Sequence, residues 1–98
     1  MDSQEPGQMD GAILPRHRDD VMIIEHPFDL VIYDEQTHRV HVLNHSSKVI
    51  WECCDGTRSL EDVISALQTT FEDVAREQLV KDVHATLDKL HQENLLQK

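Results

Sequence analysis

Positive charge is scarce in this 98-residue chain: nine lysines and arginines stand against nineteen aspartates and glutamates, a formal charge of −10 with histidine neutral. Nucleic-acid affinity rests largely on cations meeting phosphates, so the imbalance argues against DNA or RNA as a ligand. It argues equally against an anionic membrane surface, and points to neutral or basic partners. Cysteine is nearly absent, and the two present, Cys53 and Cys54, are neighbours. Adjacent cysteines suit neither a disulfide framework nor the C-x-x-C spacing of zinc and thioredoxin-like sites. They read as small buried hydrophobes in a reducing cytoplasm. No apolar run approaches the ~18 residues of a membrane span, and the polar opening Asp2–Glu5 does not resemble a secretory signal. The length allows one modest core and leaves little room for a deep catalytic pocket.

Glycine and proline are also few, and five of the six lie within the first 27 residues. Residues 1–18 carry most of them among polar side chains with no sustained period. They are expected to form a flexible tail that cannot offset its ordering entropy, apart from local docking by Ile13 and Leu14. A domain over 19–98 follows. Val21–Ile24 and Leu30–Tyr33 are short apolar runs that predict strands, with Pro27 ending the first. Polar Asp34–His38 predicts a hairpin connection. In Arg39–Leu43 the residues alternate, with Val40 and Val42 pointing one way and Arg39, His41 and Leu43 the other.

After Leu43 the period changes from 2 to 3.6. Asn44 is a good N-cap, and Val49, Ile50, Cys53 and Cys54 share a face of the first helix. Gly56 follows as a stop. Ser59 and Asp62 form a capping-box pattern ahead of a second helix with the stripe Leu60, Val63, Ile64 and Leu67. A third helix, expected from about Asp73, carries Leu79, Val83, Leu87 and Leu90 on one face. Asn94 is a left-handed terminator, and Leu95 and Leu96 fold back as an apolar latch. The reading is an α+β domain: a three-stranded antiparallel sheet followed by three helices.

The stretch Val40-His41-Val42-Leu43-Asn44, then Ile50-Trp51-Glu52, then Cys54-Asp55-Gly56-Thr57-Arg58 resembles the PqqD-like family, named for the small D protein of pyrroloquinoline quinone biosynthesis. Asp82-Val83, Leu87, Leu90 and Leu95 match its last helix, and the likeness covers about residues 20–96. His38 and Asn94 stand where such proteins often have glycine; both residue types tolerate a positive φ. The resemblance implies a winged helix-turn-helix-like domain without chemistry or cofactor of its own. Such a domain binds the leader of a ribosomally made precursor peptide as an added strand. It presents that peptide to a modifying enzyme, often a radical S-adenosylmethionine enzyme. β-Augmentation of this kind draws affinity from main-chain hydrogen bonds and specificity from side-chain pockets.

On that basis the expected peptide-binding residues are Arg39, Val40, His41, Val42 and Leu43 on the edge strand, with Val80, His84 and Leu87 on one margin of the third helix. Asp82 and Lys89 on the opposite margin are the alternative wall, and the sequence does not choose between them. The seven histidines predict no metal site: on a strand His38 and His41 face opposite ways, and His84 with His91 supply only two ligands. Trp51 reads as core. A second copy pairing along the open edge would form a homodimer and compete with peptide. The alternative function is a winged-helix DNA-binding regulator, but its recognition helix would carry more acid than base. No triad, paired carboxylates or phosphate loop supports an enzyme.

Overall fold

The structure, a computed structural model, describes residues 12–97. Three strands, β1 (Met22–Glu25), β2 (Leu30–Asp34) and β3 (Arg39–Leu43), precede three helices, α1 (His45–Cys53), α2 (Leu60–Thr70) and α3 (Arg76–Gln92). The strands form one antiparallel sheet in the order β1-β2-β3, so β1 and β3 are its edges. The helices pack on one another and on one face of the sheet. This is the α+β arrangement expected from the change of period, and the winged helix-turn-helix-like fold that the family resemblance implies.

Strand alternation decides which face is buried. Leu30, Ile32 and Asp34 of β2, with His41 and Leu43 of β3, lie against the helices. Val31 and Tyr33 alternate to the other side and are only partly covered. The hairpin between β2 and β3 needs a left-handed residue, and His38 supplies it at φ 60°. Asp34 shapes the same turn by accepting a hydrogen bond from the backbone N–H of Gln36 at 3.0 Å.

Helix ends follow the local signals. Asn44 caps α1 by accepting from the Ser47 N–H at 3.0 Å. Ser59 and Asp62 form a reciprocal capping box on α2, so the short aspartate reaches. At the end of α3, Leu95 N–H donates to the Leu90 carbonyl at 2.8 Å and Asn94 N–H to the His91 carbonyl at 3.0 Å. With Asn94 at φ 63°, this is a Schellman motif. The start of α3 differs from expectation: Glu72–Val74 make a turn, closed by Val74 N–H donating to Phe71 O at 3.1 Å, and the helix begins at Arg76. Asp73 is spent in the turn rather than in a cap.

The core joins all of these elements. Ile50, Val63, Leu67, Val83 and Leu90 are fully enclosed, and Trp51 is buried as the sequence predicts. Lys48 is also enclosed, and its Nζ donates to the His26 carbonyl at 2.6 Å and pairs with Glu25 at 3.2 Å. That lysine ties the β1–β2 connection to α1.

The tail expectation fails over residues 12–18, while residues 1–11 lie outside the described part. Ile13 bridges Ser59, and His17 bridges Leu96. Leu14 is buried, as the possibility of local docking allowed. Leu14 N–H donates to Arg58 O, His17 N–H to Cys54 O, Arg18 N–H to Leu95 O, and Gln97 N–H to Arg16 O. The His17 ring stacks on Trp51 with centroids 4.2 Å apart. A segment with no period of its own gains order because loop and latch groups offer it ladder partners. That pairing cannot be read from local composition.

Candidate functional site

β3 pairs with β2 on one side, Val31 opposite Val42 and Tyr33 opposite Val40. Among the described residues no strand lies on its other side. Val40 and Val42 are 61% and 60% exposed, whereas His41 and Leu43 are buried on the helix-facing side. The open edge is five residues long, room for a partner strand of about 16 Å.

The wall across from this edge is a margin of α3. Leu79, Val83, Thr86 and Leu90 are the buried stripe of that helix, and helical geometry places Asp82, Lys89 and Glu93 on one side of it and Val80, His84, Leu87 and His91 on the other. Contacts identify which side faces β3. Arg39, at the start of β3, pairs with Glu93 at 3.2 Å. The hydroxyls of Ser47 and Thr86 lie 3.3 Å apart. Asp82 joins Asn44, His45, Ser46, Phe71, Val74 and Leu79 around a hollow of about 320 Å³. β3 and α3 thus run antiparallel, with the Arg39–Glu93 pair at one end of the channel between them and, at the other, that hollow lined by the residues that follow β3.

The margin that the sequence reading preferred, Val80, His84 and Leu87, lies on the side of α3 away from β3. Leu87 lines a separate hollow with Leu14, Pro15, Asp88, His91 and Leu96, against the docked N-terminal segment. Val80 and His84 share that margin. The alternative wall, Asp82 and Lys89, is the one beside the edge strand. The reason is tertiary: both margins flank the same core stripe, and only the docking of residues 12–18 decides which one is occupied.

Other groups at the groove were invisible to sequence patterning. The His45 ring meets Phe71 edge-on at 4.8 Å and Phe28 at 5.1 Å, which frames the hollow with aromatic edges. Val74, in the turn before α3, is 39% exposed at its rim. Only the proximity of Phe71 and Val74 to a helix start signals them in sequence. His41 is the polar exception on the inner side of the edge. It is 7% exposed, and its Nε2 has no hydrogen-bond partner among the described residues.

Nucleophilic chemistry has no support at this site. Burial pushes the Cys53 thiol up and the Cys54 thiol up to about 12, so neither is a thiolate near neutral pH. Among the described residues no group of three or more histidine, cysteine or acidic side chains is placed to hold a metal. Nor is any helix long and apolar enough to cross a membrane.

Comparison with known proteins agrees with this fold. The family described as "Coenzyme PQQ synthesis protein D (PqqD)" matches residues 29–96. No curated protein matches the chain significantly. A solved structure described as TbiB1 in complex with the TbiA(beta) leader peptide shares the fold, with a TM-score of 0.71 and 21% identity over 84% of this chain and 94% of that one. With its family match spanning both strands of the groove hairpin and all three helices, the chain belongs to the PqqD family.

Proposed function

We propose that this chain recognises the leader of a precursor peptide by strand addition to β3 and presents it to a modifying enzyme, of the radical S-adenosylmethionine class. The observation that carries this reading is the open outer edge of β3 beside the Asp82, Lys89 and Glu93 margin of α3. The peptide backbone completes the ladder along Arg39, Val40, His41, Val42 and Leu43. Alternate peptide side chains turn inward toward α3, and one of them reaches the Phe71–Val74 hollow. The family membership and the leader bound in the similarly folded TbiB1 structure support it. The chain serves as a cytoplasmic binding module, not as an enzyme. Its charge of −10 disfavours both duplex DNA and a second copy on the same edge.

Backbone N-methylation of a synthetic leader tests the reading. In an added strand, alternate residues point their N–H groups at the partner. Methylation in one phase is expected to weaken binding at least tenfold by fluorescence anisotropy, and in the other phase to leave it intact. Val42→Pro, which distorts the edge, and Asp82→Trp, which obstructs the groove, are expected to weaken it similarly, with the fold checked by circular dichroism. Equal tolerance of methylation in both phases would sink strand addition.

A further inference from the structure

The opposite face of the sheet is not used by the groove. Strand register sets Met22, Tyr33 and Val40 in one cross-strand row and Ile24, Val31 and Val42 in the next. Directly opposed residues share a face, so all six side chains point away from the helices. None is charged. Met22 and Ile24 are each 54% exposed, and Val40 and Val42 more so. The exposed apolar area is on the order of 400 Å², the size at which a surface patch on a soluble protein acquires a function. No described element covers it.

We propose that this outer face is a second docking surface, and that its occupant is the modifying enzyme, which grips the sheet and the bound leader together. The proposal rests on the strand-addition reading above. Two observations select the occupant. A second copy would bring two chains of charge −10 into contact, and such repulsion opposes self-association; a partner whose apolar patch has a basic rim gains instead. The area is also about half of the ~800 Å² per partner that a stable interface buries. A leader strand on β3 supplies more. It lies about 4.8 Å beyond Val40 and Val42, and its outward side chains extend both rows by a fourth member. The enzyme therefore meets its full surface only when the peptide is in place. Because binding couplings are reciprocal, the enzyme tightens leader binding by the factor by which leader tightens enzyme binding.

Ile24→Asp tests this with little risk to the fold, since the residue is exposed and sits two strands away from the peptide edge. Ile23→Asp is the control: it adds the same charge to the same strand on the other face. The probes are a fluorescein-labelled leader and the purified modifying enzyme that acts on it. For the unaltered chain, saturating enzyme is expected to tighten leader binding at least fivefold. Ile24→Asp is expected to bind leader alone normally but to lose the tightening and to weaken enzyme binding at least tenfold; Ile23→Asp is expected to retain both. Enzyme binding indifferent to Ile24→Asp, or equally damaged by Ile23→Asp, overturns the proposal while intact leader binding preserves the groove. Sedimentation of the unaltered chain as a dimer that Ile24→Asp dissolves also overturns it, assigning the face to a second copy. Failure of the leader to bind the unaltered chain sinks the strand-addition reading and this one with it.

Discussion

Asp34 ends β2 with its carboxylate enclosed beneath the sheet, where an unpaired charge is costly. Arg18 Nη1 donates to it at 2.9 Å, to the Asn94 carbonyl at 3.1 Å, and Arg18 Nε donates to Asp20 at 2.9 Å. One guanidinium thereby joins the N-terminal segment, the hairpin and the end of α3. The hydrogen bonds from Arg18 lower the Asp34 pKa despite burial, which alone would raise it. A carboxylate with a depressed folded-state pKa stabilises the fold above its unfolded value, about 3.9, and loses that contribution as pH falls through the folded value. Arg18→Met is therefore expected to unfold at a higher pH in an acid titration followed by Trp51 fluorescence, and to melt at a lower temperature at pH 7. Asp34 in the sequence is one more polar turn residue. Its partner lies sixteen positions away in a segment that reads as tail, so no local pattern reveals the pair.

The strands, helices and most caps were legible at the scale of elements because their signals are local. A short apolar run marks β2 and alternation marks β3, the Ser59–Asp62 spacing marks the start of α2, and Asn94 marks the end of α3. Replacing the left-handed Asn94 by glycine is expected to stabilise the domain by up to about 1 kcal/mol in urea denaturation, because only glycine takes that conformation without a Cβ penalty. Asn94→Ala is expected to destabilise it. The edge character of β3 was legible too, since no fourth strand follows it. Its facing wall was not. Two margins of α3 bracket one core stripe at equivalent angles, and helical periodicity is silent on which neighbour each meets.

For the whole molecule, the boundary of the folded unit moves from residue 19 to at least residue 12. A chain beginning at Asp19 would lack Leu14, the His17–Trp51 stack, the Arg18–Asp34 pair and four main-chain hydrogen bonds to the 54–58 loop and the latch. It is expected to be several kcal/mol less stable than the full chain in chemical denaturation, since a buried leucine alone contributes about 2 kcal/mol. Equal stability would show that the docked segment is ornamental. The same docking fills the Leu87 side of α3, while Asp82 on the other side lines an open hollow. Among the described residues the sheet carries an open edge and an uncovered apolar face, two features that a self-contained domain normally conceals.

Sequence alone determined the element order, the stripe of α2, most of the stripe of α3 (Thr86 rather than Leu87 completes it) and the left-handed positions Gly56 and Asn94, because each depends on residues within a turn or two of one another, and the spaced motifs between Val40 and Leu95 marked the family. Tertiary structure decided where residues 12–18 lie, which margin of α3 borders β3, and that Met22, Ile24, Val31, Tyr33, Val40 and Val42 share one face that no described element covers. Those outcomes depend on register and packing between segments distant along the chain, and such contacts leave no period for local patterning to detect.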